Sequence, residues 1–218
     1  MKIQFFGHAA FGLTSASGLR VLLDPYEPGA FGGLLDYKAI PGQWDVAIVS
    51  HDHLDHNHVS PSFGTPAVVK SDGTYRGLGV RTLTVKHGDA GGRVDFQSRV
   101  SVFALDGMTL LHPGDAGHPL SDAMRATLPA VDVLFVPVGG HFTMGPADAV
   151  TFIRQVAPRV AIPMHYLTPQ VKLAIRPLAD FLAAWGGSVR RFGRGEAEVD
   201  ALSLPAATEL WVMPALMV

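Results

Sequence analysis

Ser50-His51-Asp52-His53-Leu54-Asp55-His56 is the stretch that decides how this chain reads. It follows Val46-Ala47-Ile48-Val49, an apolar run that fits a buried strand. His51, His53, Asp55 and His56 therefore leave a strand end within a few residues of each other. That spacing lets imidazoles and a carboxylate converge on one point. Imidazole suits zinc, iron and other late first-row ions, and carboxylate suits harder ones. The plainer alternative is a solvated, histidine-rich turn.

Outward from this stretch, short apolar runs alternate with Gly, Pro and Asp clusters. The expected strands are Ile3–Phe6, Phe11–Thr14, Leu19–Asp24, Val46–Ser50, Ala67–Lys70, Thr82–Val85, Val100–Ala104, Thr109–His112, Val133–Pro137, Val160–Pro163 and Ser188–Arg191. Ser17-Gly18 and Asp106-Gly107 read as hairpin turns. Pro146–Ala157 opens on proline and sets Val150, Ile153 and Val156 on one stripe, so it reads as a helix. Pro177–Trp185 does the same with Leu178, Phe181, Leu182 and Trp185, and stops at Gly186-Gly187. Ser121–Leu128 is a shorter helix capped by serine, and a weakly marked helix is expected after Leu54. No fixed-period repeat, low-complexity tract or charge run divides the chain, so residues 1–218 read as a single domain.

Composition narrows the chemistry. The 218 residues carry 17 Lys plus Arg against 19 Asp plus Glu, a formal charge of −2. Near-neutrality argues against a nucleic-acid binder built on bulk positive charge. No apolar run approaches a membrane span, and the N-terminus lacks a signal-peptide core, so a cytoplasmic protein is the default expectation. Cysteine is absent and histidine occurs 10 times. Disulfides, iron–sulfur clusters and a cysteine nucleophile are thereby excluded, and any transition-metal site must use nitrogen and oxygen donors.

His87 ends the strand before Gly88, Asp115 follows Gly114 after the Thr109–His112 strand, and His165 follows Val160–Pro163. Singly, each is more often a surface or turn residue. In order, with the first motif, they resemble the metallo-β-lactamase superfamily, whose His-x-His-x-Asp-His signature is followed by a histidine, a Gly-Asp step and a last histidine. Gly7-His8, Leu23-Asp24-Pro25, Pro137-Val138-Gly139-Gly140, Phe142-Thr143-Met144-Gly145-Pro146 and Pro163-Met164-His165-Tyr166 are similar to one branch of it. That branch holds small stand-alone metal-dependent hydrolases, including the ascorbate-6-phosphate lactonase type. The resemblance runs from Met1 to Arg191. The stretch from Asp89 to Ser98 is shorter than in the larger lactonase, so that enzyme's substrate is not carried over.

The resemblance implies an α+β fold, a four-layer αββα sandwich with two mixed sheets face to face and helices outside. It implies two divalent metal ions, zinc first, with manganese or iron as alternatives. His51, His53 and His87 go to one ion, Asp55, His56 and His165 to the other, with Asp115 between them. A hydroxide shared by the ions would be the nucleophile. Asp55 and His118 are the catalytic candidates, His118 as proton donor to the leaving group. His8 is either a partner that orients a ligand or a structural histidine. His141 is a candidate for the pocket mouth, His58 and His112 are structural or exposed, and Asp24 either orients a ligand or caps a turn.

The leading expectation is a hydrolase of a small ester, lactone or phosphodiester. A nucleic-acid phosphodiesterase would call for a basic surface, and Arg190, Arg191 and Arg194 form the sole local basic cluster. A di-iron redox protein would need a flavin domain, for which the chain has no room. A non-catalytic metal-binding relative is disfavoured by the intact ligand set. The expected partner is a small molecule, with no nucleic acid and no membrane, and a homo-oligomer is compatible with the sequence.

Overall fold

The structure, a computed structural model, describes residues 1–87 and 97–216. Most of the Asp89–Ser98 stretch therefore lies outside the described residues. The strands, in chain order, are β1 Lys2–Gly7, β2 Ala10–Thr14, β3 Arg20–Leu23, β4 Val46–Ile48, β5 Ala67–Val69, β6 Gly73–Tyr75 and β7 Leu78–Lys86. They continue with β8 Gln97–Leu105, β9 Met108–His112, β10 Val133–Pro137, β11 Val160–Met164, β12 Ser188–Arg191, β13 Glu196–Glu198 and β14 Glu209–Val212. They form a 6-stranded sheet, ordered β13-β1-β2-β3-β4-β5, and an 8-stranded sheet, ordered β12-β14-β11-β10-β9-β8-β7-β6. Both are mixed: β1, β2 and β3 pair antiparallel while β3, β4 and β5 pair parallel. In the larger sheet β9, β10, β11, β14 and β12 are parallel, and β6 to β9 form antiparallel hairpins.

Strand alternation builds the sandwich. Ile3, Phe5, Phe11, Leu13, Val21 and Leu23 point from the first sheet into the main core, while Phe6, Ala10 and Leu22 point the other way. Phe11 meets Phe135 of the second sheet at 4.5 Å between ring centroids. This contact orients Phe135 toward the first sheet and leaves Leu134 and Val136 for the outer face. The helix Pro146–Val156 packs against β10, and Leu178–Ala184 packs against that helix. The outer face of the first sheet is closed differently. Among the described residues its cover is loop side chains, including Tyr26, Tyr37, Trp44 and Phe63, rather than a long helix.

The three helices placed by pattern are present, the short one as Asp122–Thr127 with the Ser121 hydroxyl accepting from the Met124 amide. The helix expected after Leu54 is not. His53 O accepts from the amides of His56 and Asn57, which closes a single turn, and Pro61–Phe63 forms a 3-10 turn. No apolar stripe runs through Asn57-His58-Val59-Ser60, and Pro61 supplies no amide to continue a helix. The strands β6, β13 and β14 had no expected counterpart. The first two have 3 residues each, too short for a period to register. No helix of the described residues is long and apolar enough to cross a membrane.

Candidate metal centre

Five strand ends meet at one edge of the sandwich. β3 delivers Asp24, β4 the His51–His56 turn, β7 His87, β9 Asp115 and β11 His165. The two-residue β1–β2 turn adds His8, whose carbonyl accepts the His165 amide at 2.8 Å. The Lys86 carbonyl accepts the Gly117 amide at 3.0 Å, which ties the end of β7 to the Asp115 loop.

Two glycines permit the convergence. A Cβ on Gly114, at φ +53, would lie 2.3 Å from Ser98 Oγ and 2.4 Å from Ser50 Cβ. Glycine therefore brings the Asp115 loop against the base of the histidine turn, where Ser98 Oγ accepts the Asp115 amide at 3.0 Å. A Cβ on Gly139 would stand 2.2 Å from the His165 carbonyl oxygen.

Asp24 anchors the turn from below. Its carboxylate accepts the Ser50 amide at 2.7 Å, the Ser50 hydroxyl at 2.6 Å and His56 Nδ1–H at 2.8 Å. The Ser50 proton is thus committed to Asp24, so at the 2.9 Å contact between Ser50 Oγ and His51 Nδ1 the imidazole must donate. Both histidines are left with Nε2 turned toward the centre.

Asp115 occupies the middle. Its Oδ2 lies 3.3 Å from His87 Nε2, 3.3 Å from His165 Nε2 and 3.9 Å from His51 Nε2, and its Oδ1 lies 3.3 Å from His56 Nε2. Asp55 Oδ2 lies 3.4 Å from His56 Nε2 and accepts His8 Nε2–H at 2.9 Å. His51 Nε2 and His53 Nδ1 are 3.0 Å apart. The donor atoms fall into overlapping groups: His51, His53 and His87; His51, His56 and Asp115; and His8, Asp55, His56 and His165.

Electrostatics follow from burial and crowding. Burial pushes His51 down to about 3, with His56 adding to the effect. Burial likewise lowers His8 to about 4, reinforced by His165. His56 goes the other way: burial opposes its charge, but Asp115, Asp55 and Asp24 overcome it and hold the imidazole well above its usual range. Burial works to raise Asp115, but His165 and His56 keep its carboxyl well below the usual range. Asp55 behaves similarly, with His56 as the counterweight to burial.

These residues fit divalent cations. His56 Nε2, His87 Nε2, Asp55 Oδ1 and Asp115 Oδ1 are buried and have no hydrogen-bond partner. Orphaned polar atoms of this kind are costly. A cation that displaces the proton of His56 Nε2 would use such atoms as lone-pair donors, among the clustered histidine and carboxylate groups.

The structure brings together all seven ligand candidates, His51, His53, Asp55, His56, His87, Asp115 and His165. Asp24 and His8 prove to be partners of the cluster, through His56 and Asp55 respectively. Of the two roles open to His8, the structure places it against the ligand candidate Asp55; Gly7-His8 carries no ligand spacing, and the β1–β2 turn carries it to the site. His112 is buried and structural: its Nδ1 accepts the Gly114 amide at 3.2 Å, so Nε2–H donates to the Ala9 carbonyl at 3.2 Å. His118 is not brought to the cavity over the cluster: it is half-buried, its Nδ1 engaged with the Pro119 carbonyl at 2.8 Å. His141 is exposed, edge-on to Phe142, which does line that cavity.

Comparison with known proteins agrees with this geometry. Residues 2–165 match the family profile described as a beta-lactamase superfamily domain. A UPF0173 metal-dependent hydrolase of Carboxydothermus hydrogenoformans is 32% identical, over 91% of this chain and 100% of the relative. A Thermotoga maritima structure, assigned as a Zn-dependent hydrolase of the metallo-beta-lactamase superfamily, is 31% identical. It superposes with a TM-score of 0.77 over 97% of each chain. An isothiocyanate hydrolase from Delia radicum gut bacteria shares the fold at 19% identity, with a TM-score of 0.62 over 84% of this chain and 91% of that one. The chain belongs to the metallo-β-lactamase superfamily, within its stand-alone group of UPF0173 metal-dependent hydrolases.

Proposed function

We propose that the chain is a hydrolase of a small ester, lactone or phosphodiester that works with two divalent ions. His51, His53 and His87 would hold one ion, and Asp55, His56 and His165 the other, with Asp115 shared. When bound, such ions supply an activated water at neutral pH and polarise the oxygen of the scissile group. The protein's own contribution is orientation. Asp24 keeps the His56 proton on Nδ1, so that Nε2 faces the centre. Ser50 does the same for His51. His8 holds Asp55 by Oδ2, the oxygen that lies 3.4 Å from His56 Nε2, and leaves Oδ1 buried without a hydrogen-bond partner.

The observation that carries the reading is Asp115, a buried carboxylate standing between both groups of donors. Zinc leads, because the donors are mostly imidazole, and manganese or iron remain alternatives on a set with no sulfur. The test is elemental analysis of the purified protein, then a panel of lactones, phosphodiesters and thioesters assayed with zinc and with manganese. About two ions per chain and metal-dependent turnover are expected on the two-metal reading. A protein that takes up no metal under replete conditions refutes it.

A further inference from the structure

The cavity above the ligand cluster has about 380 Å³ and a divided lining. Its floor is polar, made by the ligand side chains. Its walls are Phe31, Leu34, Phe142 and Leu173, and among the described residues no lysine or arginine lines it. Phe31 and Leu34 are 41% and 39% exposed, and both line this one cavity together with Phe142 and Leu173, so the exposed apolar surface is clustered at the site. They sit on one loop, Pro28–Leu35, whose Leu34 carbonyl accepts the Lys172 amide at 2.8 Å, beside Leu173 on the facing segment. Phe31 is also held at φ 56, a left-handed conformation that bulky side chains rarely adopt, although glycines stand on both sides at Gly29 and Gly32. Backbone strain at a non-glycine residue is retained where its side chain has a task.

A substrate seated here would lay its scissile group on the floor and everything else against hydrocarbon. An anionic substituent beyond the scissile group would lose its water against Phe31, Leu34, Phe142 and Leu173, none of which can pair it. Resting on the hydrolase reading above, we propose that this site selects an acyl ester or lactone whose remainder, beyond the scissile group, is an uncharged hydrocarbon chain. Phe31, Leu34, Phe142 and Leu173 form the specificity-determining wall. In the reaction a water oxygen bonds to the acyl carbon and the acyl C–O bond breaks. One water proton goes to the leaving alkoxide, and the other is released as the carboxylic acid product ionises.

The test separates the wall from the chemistry. Straight-chain hydroxamates from acetyl to octanoyl are titrated into zinc-loaded protein by calorimetry. Each added methylene is expected to tighten binding about fourfold while the chain lies on the wall. Phe31→Asn, which keeps a residue tolerant of the left-handed conformation, and Leu173→Asn should each flatten that slope without changing acetohydroxamate affinity. p-Nitrophenyl esters of the same chain lengths and bis-p-nitrophenyl phosphate are assayed alongside. A flat slope in the native protein overturns the proposal, as does a kcat/KM for the hexanoyl ester no higher than that for the acetyl ester. A chain-length slope without turnover of any substrate upholds the wall and refutes the hydrolase reading instead. Absence of hydroxamate binding at every length overturns both.

Discussion

His56 Nδ1 donates to Asp24 Oδ2 at 2.8 Å, and both side chains are buried. This one bond sets the tautomer of the histidine at the centre of the cluster. Asp24 itself sits at φ 39, at the end of β3, so the backbone is bent to deliver the carboxylate. Asp24→Asn keeps the size but removes the charge and two of the acceptor options. The expected result is a 10- to 100-fold loss of metal affinity, by order of magnitude, in chelator-competition titrations. Unchanged affinity would mean that Asp24 serves the turn and not the ligand.

The donor groups predict a stoichiometry that splits. His165→Ala and Asp55→Ala remove donors from the His8, Asp55, His56 and His165 group alone. His87→Ala removes one from the His51, His53 and His87 group. Each variant should fall from about two bound ions toward one and lose most hydrolysis, by metal analysis and assay of the same preparation. Loss of both ions on any single change would point to one cooperative centre.

For His118 the expectation from sequence and the geometry part company. The residue follows Asp115 by three positions, yet it does not line the cavity over the cluster and its Nδ1 binds the adjacent Pro119 carbonyl. His118→Ala should change kcat less than about tenfold, well short of the loss typical of a general acid. A loss of a hundredfold with KM unchanged would restore the proton-donor role.

The ligands were legible because each lies just after an apolar strand, a position the sequence marks with a run of Val, Ile and Leu. His51, His53, Asp55 and His56 share one turn and need no tertiary knowledge. His8 and Asp24 were only half legible, since their partners lie 47 and 32 residues away and pairing at that distance leaves no local pattern. The edge strands β6 and β13 were invisible for a related reason, being defined by a neighbour rather than by their own period. Part of the cover of the first sheet was hard to read, because Tyr26, Tyr37 and Trp44 are spread along loops with no helical spacing. The pocket wall was illegible too, because Phe31 and Leu173 meet only through the loops that carry them.

Gly114 gives a stability test independent of metal. Gly114→Ala puts a methyl group 2.3 Å from Ser98 Oγ and 2.4 Å from Ser50 Cβ, at a positive φ. Overpacking of this kind costs about 1–3 kcal/mol, and the left-handed backbone adds to it. Chemical denaturation of the metal-stripped variant should show that loss. Because the same methyl pushes on Ser50, metal affinity should fall as well. A variant as stable as the native protein would show that the Asp115 loop has room to yield.

Acid should destabilise the metal-free protein earlier than carboxylate protonation alone would. Burial lowers His8 to about 4 and His51 to about 3, and also lowers His87 and His112 from their usual 6.5. When folded, these four stay neutral while the unfolded chain takes up protons on them. Stability they contribute above about pH 6.5 is therefore lost as the pH falls from there, for His8 toward about 4 and for His51 toward about 3. His56 has the opposite sign. Its folded value is raised, so its contribution is complete below about 6.5 and is lost as the pH rises through that raised value. Asp55 and Asp115, held low in the fold, add stability above about pH 4 that is lost at more acid pH. The four lowered histidines act on the acid side, while His56 and, at higher pH, Tyr26, Tyr37 and Tyr166, whose hydroxyls burial raises, act on the alkaline side. Urea denaturation of metal-stripped protein should accordingly give a maximum near neutrality and a fall already evident between pH 6.5 and 5. A profile flat from pH 7 to 5 would show that the cluster titrates in the fold as it does in the unfolded chain.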